Sequence, residues 1–142
     1  MAGEKARHFS GNMVHYHMAK IDYTNIGAGP LAFGDIPACQ IIDIYVAKTA
    51  DFNSGSTNTL DIGLDYSDTT TDDPDALVDG IDLSGSTALG PLEVTQVDSA
   101  AWTVTVPATL TVSPLATGTA ASAGAAYVAV AYIPLSEAKD LT

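Results

Sequence analysis

Positive charge is scarce in this chain: five Lys and Arg stand against 17 Asp and Glu, a formal net charge of −12. The phosphate backbone of nucleic acid and an anionic membrane surface would both be repelled, so neither is an expected partner. Cysteine is nearly absent. Cys39 stands alone, which excludes a disulfide within the chain and fits a reducing compartment. A small buried hydrophobe is its expected role, not a nucleophile. Long hydrophobic runs are missing as well, because the stretch from Ala120 to Leu135 is broken by Ser122, Gly124 and Pro134 and is too short to span a bilayer. The opening Met-Ala-Gly-Glu-Lys-Ala-Arg-His has no apolar run after its basic residues, so no secretory signal or membrane anchor is expected there.

The motifs of catalysis are missing too. Ser54-Gly-Ser56 and Ser84-Gly-Ser86 lack a nucleophile elbow, and the three histidines all fall within the first 17 residues. Gly27-Ala-Gly29 is followed by Pro30 instead of a helix, so it is no dinucleotide fingerprint. No enzyme, catalytic residue, cofactor or metal is expected. Nine aspartates between Asp51 and Asp82, with no Lys or Arg among them, could supply oxygen ligands to Ca²⁺. Their spacing fits no named site, however, and a solvated acidic segment accounts for them more simply. Paired aspartates around Asp61, Asp65 and Asp75 would suit a glycosidase, yet Tyr66 is the only aromatic near them that could stack on a sugar.

What is present is a folded composition, 46% apolar and 15% charged, on 142 residues, enough for one core. The charge is split. Residues 1–20 carry Lys5, Arg7 and Lys20 against Glu4, and residues 21–142 carry two lysines against sixteen carboxylates. A basic segment that docks on a neighbour and an acidic body that stays in solution fit this division.

Residues 1–38 hold no sustained period and much Gly and Pro, and they read as an extended N-terminal arm and connector, with a short strand over Val14–Met18. Residues 39–142 read as a β-sandwich domain. Ile42, Ile44 and Val46 share one face of a strand, with Ile41, Asp43 and Tyr45 on the other. Leu60, Ile62 and Leu64 alternate with Asp61 and Asp65, the mark of a half-exposed antiparallel strand. Leu92–Val97, Trp102–Val106, Thr109–Val112 and Ala126–Ile133 follow, with a turn or an edge strand at Pro107 and with Trp102 in the core. Asp72-Asp-Pro-Asp-Ala-Leu-Val-Asp-Gly80 predicts one short helix near 74–79, from its Asp cap, early Pro and following Gly. The fold class is all-β, a jelly-roll-like sandwich, because short strands joined by long connections cannot all be tight hairpins.

Lys5, Arg7, His8, His15, Tyr16, His17 and Lys20 are the candidate interface residues. His15 and His17 share a strand face at a spacing that suits two zinc or nickel ligands, but no third ligand is near. Against acidic groups of a partner, they would make assembly sensitive to pH.

Thr59-Leu-Asp-Ile-Gly63, Thr71-Asp-Asp-Pro-Asp-Ala-Leu-Val-Asp-Gly-Ile-Asp-Leu83, Thr109-Leu-Thr-Val-Ser-Pro114 and Ala123-Gly-Ala-Ala-Tyr-Val-Ala-Val-Ala-Tyr-Ile133 carry a resemblance. Over roughly residues 41–133 the chain resembles the small β-sandwich decoration, or cement, proteins of tailed-bacteriophage heads. The resemblance implies a virion protein on the outer surface of the capsid, made in the cytoplasm of a bacterial host. It would clamp neighbouring major capsid protein subunits and act as a homo-oligomer, a dimer or trimer. A carbohydrate- or receptor-binding module of a virion fibre or spike, with its site near Tyr66 and the Asp51–Asp82 region, is the alternative.

Overall fold

Val, Ile, Thr and Tyr recur through the segments that read as strands, and such residues suit a pleated, half-buried surface. The structure, a computed structural model, describes residues 13–96 and 99–135. Within them the strands are β1 His15–Asp22, β2 Leu31–Ile36, β3 Cys39–Ala50, β4 Asn58–Tyr66, β5 Asp73–Asp82, β6 Gly90–Leu92, β7 Thr103–Val104, β8 Ala108–Ala116 and β9 Ala125–Pro134. The first sheet has the order β1-β9-β3-β6, with the two-residue β7 also paired to β3, and the second has the order β2-β8-β4-β5. All pairings are antiparallel. The chain crosses from sheet to sheet at all but two connections, β4 to β5 and β6 to β7, and this winding of a five-stranded and a four-stranded layer is a jelly roll.

The core lies between the layers. Ile21, Ile41, Ile44, Val46, Val128 and Val130 reach inward from the first sheet, against Ile36, Leu60, Ile62, Leu64, Leu110 and Val112 from the second. Leu60, Ile62 and Leu64 are buried as their alternation predicts. Trp102 is buried, and its indole N–H donates to the Leu77 carbonyl at 3.2 Å. Pro107 marks a crossing: β7 lies in the first sheet and β8 in the second.

Three local expectations are corrected. No helix forms near 74–79. Ala76, Leu77 and Val78 are all buried in β5, which pairs with β4 as the outer strand of its sheet. A single helical turn cannot bury three successive residues, whereas an irregular edge strand can, and it tolerates Pro74 near its start. Gly80, with φ of 77°, serves a bulge in β5 between Ile81 and Val78 instead of a helix end, and its N–H donates to Asp61 at 2.8 Å. Ile42 is exposed and Ile41 buried, because a bulge between Ile41 and Asp43 shifts the faces of β3. Of the strand expected over Leu92–Val97 only Leu92 is paired, at the end of Gly90–Leu92, and Val97 lies outside the described residues; the strand expected over Trp102–Val106 shortens to Thr103–Val104, and Trp102 ends a 3-10 turn, Ser99–Trp102.

Lys48 closes one end of the sandwich. Its ammonium is buried and donates to the carbonyls of Ser84 and Thr87, to Thr87 Oγ1 at 2.9 Å and to Asp51 at 2.7 Å. Two backbone carbonyls, a hydroxyl and a half-exposed carboxylate replace the water that a buried cation would otherwise lose. Of the expected arm, residues 15–22 and 31–36 form β1 and β2, one edge strand of each sheet. Residues 1–12 lie outside the described residues.

Candidate interface

The candidate interface residues fall into three groups. Lys5, Arg7 and His8 lie outside the described residues. The rest lie on β1, whose alternation turns His15, His17, Ala19 and Ile21 toward the second sheet and Tyr16, Met18 and Lys20 toward solvent.

His15 and His17 stack on Tyr132 of β9, with ring centroids 5.5 and 5.6 Å apart. The His17 ring N–H donates from Nε2 to the Asp35 carbonyl at 2.9 Å, and the Tyr132 hydroxyl lies 3.2 Å from the same nitrogen. Asp35 belongs to β2, so His17 ties the two sheets together along their shared open side. Gly34 makes this possible: a Cβ there would lie 2.3 Å from His17 Cγ. Among the described residues no group of three or more His, Cys, Asp and Glu is placed to hold a metal ion.

Tyr16, Met18 and Lys20 begin three rows that cross the outer face of the first sheet. Tyr16 pairs with Ala131 and then Asp43, Met18 with Ala129 and then Tyr45, and Lys20 with Tyr127 and then Ala47. The alanines of β9 form a low central line between the large side chains of β1 and β3. Tyr16 and Met18 are 65% and 67% exposed, and Ile42, Tyr45 and Tyr127 are exposed beside them. Lys20 Nζ lies 5.8 Å from the centre of the Tyr127 ring, within cation–π range. Five large apolar or aromatic side chains on one sheet face form a patch of the kind that marks interaction surfaces.

The charge is divided between the sheets as well as along the chain. In the first sheet Lys20 and Lys48 balance Asp22 and Asp43. The strands of the second carry Asp35, Asp61, Asp65, Asp73, Asp75, Asp79 and Asp82 and no basic residue. Sequence reasoning singled out Tyr16 and Lys20 but missed Met18, Ile42, Tyr45 and Tyr127 as one surface. The available signal was large apolar residues at the wet positions of alternating strands.

The aspartates of the 51–82 region mostly shape backbone. Asp68 accepts from Thr70 N and Asp82 from Ser84 N, each at 2.8 Å, and hydrogen bonds from Thr70 and Ser84 hold the two carboxyls below their ordinary value. Burial pushes the Asp61 carboxyl up. Three surface grooves separate the acidic side chains: Asp65 and Asp72 line one, Asp68 and Asp73 with Tyr66 another, and Asp79 and Asp82 the third. Asp61 and Asp75, the other members of the paired-aspartate reading, line none of these three. Cys39 is buried in the core, where desolvation pushes its thiol up to about 11, so it carries almost no thiolate at neutral pH.

No protein-family model and no curated protein matches this chain. Among solved structures, a chain of the Cyanophage Pam1 capsid asymmetric unit has a similar fold, with a TM-score of 0.57 and 18% sequence identity over 87% of this chain and 86% of that one.

Proposed function

We propose that this chain is a structural, non-enzymatic protein of a phage virion that sits on the outer surface of the capsid and clamps neighbouring major capsid subunits. The observation that carries this reading is the fold shared, over nearly the full length of both chains, with a chain of a capsid asymmetric unit. A jelly roll hosts many functions, so the surface must supply the rest of the argument.

The outer face of the first sheet supplies it. Tyr16, Met18, Tyr45 and Tyr127 offer apolar area without a balancing excess of charge, while the carboxylates of the second sheet keep that side hydrated. In this reading the first sheet faces the capsid and the second faces outward. The N-terminal segment with Lys5, Arg7 and His8 makes the inter-subunit contact, and copies act together as a dimer or trimer. The test is co-sedimentation of the purified full chain with capsid shells lacking it: saturable binding at a fixed ratio to capsid subunits is expected, and a chain left in the supernatant at every concentration contradicts the proposal.

A further inference from the structure

Among the described residues β1 is paired along one edge, by β9, and the other edge has no strand beside it in the sheet. The pairing with β9 runs through all eight residues, from His15 with Tyr132 to Asp22 with Ala125, without a shift of register. The Tyr23 N–H donates to the Gly124 carbonyl at 3.0 Å, which makes Asp22 and Ala125 a pair that exchanges no hydrogen bond. Counting back along the strand, His15, His17, Ala19 and Ile21 bond to β9, and the N–H and C=O of Tyr16, Met18 and Lys20 point to the outer edge. The Asp22 N–H, next in this phase, donates to Asn25 Oδ1 at 2.8 Å and closes the open stretch.

The other sheet edges carry features that resist a further strand. β6 has three residues, one of them Pro91, and β7 has two. The register of β2 shifts between Ala32 and Gly34, and that of β5 shifts along its pairing with β4, with Pro74 near its start. β1 contains no Pro, no Gly and no bulge. Its one charge at the open positions is Lys20, and the side chains of Tyr16, Met18 and Lys20 all stand on the outer face, exposed.

The open groups are symmetric about Met18, and this selects the occupant. We propose that a second copy adds its own β1 antiparallel to this edge, about a two-fold axis at Met18, so that two sandwiches share one continuous first sheet. Met18 then opposes the second copy's Met18, and Tyr16 and Lys20 oppose its Lys20 and Tyr16. These three pairs exchange about six backbone hydrogen bonds. Each ammonium lies beside a tyrosine ring and no like charges face each other. Registers displaced toward Asp22 meet its occupied N–H, and those displaced the other way run past the start of β1 at His15. The axis stands perpendicular to the sheet, so both outer faces, each with Met18, Tyr45 and Tyr127, turn to the same side and can meet one surface together. The pairing names the contact behind the dimer of the proposed function, and it rests on that reading for its use at the capsid.

The test is a cysteine scan of the full chain under mild oxidation, in which the buried Cys39 takes no part. Met18→Cys should give a covalent dimer, because directly opposed residues lie about 5.5 Å apart at Cα, within disulfide reach. Tyr16→Cys and Lys20→Cys should each stay uncross-linked, and the two together should cross-link. In sedimentation equilibrium Met18→Lys sets two ammonium groups opposite each other and should weaken the wild-type dimer by about tenfold or more. Its Tm should not fall, since the Met18 side chain is exposed within the monomer. A wild-type chain that stays monomeric at every concentration, a Met18→Lys variant that associates as the wild type does, or cross-linking at Tyr16 or Lys20 alone but not at Met18 would each overturn the pairing. Capsid co-sedimentation of the wild-type chain separates the two proposals: decoration by a monomer removes only this pairing, and a dimer paired at Met18 that leaves capsids bare removes only the virion role.

Discussion

Replacing Tyr16 and Met18 together by threonine removes the two most exposed large side chains of the proposed attachment face while keeping a residue that strands favour. Burying a side chain of this class in full contributes about 1.5–3 kcal/mol. Tyr16 and Met18 are 65% and 67% exposed in the free chain. Roughly two-thirds of that contribution is still to be gained on docking, about 1–2 kcal/mol each and about 2–4 kcal/mol for the pair. Per contact, this is about 30- to 800-fold in Kd. Both side chains point to solvent, so stability should change by less than about 0.5 kcal/mol. The assay is titration of labelled chain onto undecorated shells at low occupancy, where contacts between copies contribute least, with a thermal melt of the same samples. An unchanged Kd at an unchanged Tm refutes the assignment of this face, whatever else binds the capsid.

Four further predictions concern the scaffold. Lys48→Met leaves the Ser84 and Thr87 carbonyls and Asp51 without their cation, and urea unfolding should show a loss of about 3 kcal/mol; equal stability would mean the cage contributes nothing net. Gly34→Ala forces a methyl against the His17 ring and should cost about 1–3 kcal/mol, a cost that His17→Ala relieves in a double-mutant cycle. Burial raises the Asp61 carboxyl, so the folded chain holds that proton more tightly than the unfolded chain does, and the charged form is a penalty at neutral pH. Asp61→Asn should therefore be the more stable form at neutral pH, by a gap that closes as pH falls through the carboxylate range in denaturation curves. Deleting residues 1–12 should leave a cooperative melt, whereas deleting residues 1–20 removes most of β1 and the His17 tie and should abolish it.

The parts of the fold legible in the sequence were those where one strand face is wet and one dry. Leu60, Ile62 and Leu64 against Asp61 and Asp65 leave β4 no other register. Pro107, which cannot donate to a ladder, pointed to a turn or an edge strand, and the chain crosses between the sheets there. β5 was misread because Asp-Pro and a later Gly carry the same local signals for a helix as for a bulged edge strand, and only the pairing with β4 decides between them. Ile42 was misread because a bulge adds one residue and reverses the faces beyond it, which local alternation cannot register. The interface was legible in part. Charge drew notice to Lys20, but the aromatic and apolar side chains beside it come from β1, β3 and β9, and they meet only because β9 lies between the other two strands. The His17 contact with Asp35 depended in the same way on the two sheets sharing an open side.

In the proposed attachment this jelly roll meets a capsid through the outer face of its first sheet. Electron cryomicroscopy of shells saturated with the full chain tests it most directly. Ordered density is expected on the outer surface, with Tyr16, Met18 and Tyr45 against the capsid subunits and the carboxylates of the second sheet turned to solvent. Density with the second sheet against the shell and Tyr16 and Met18 in solvent, or shells without added density, would contradict it.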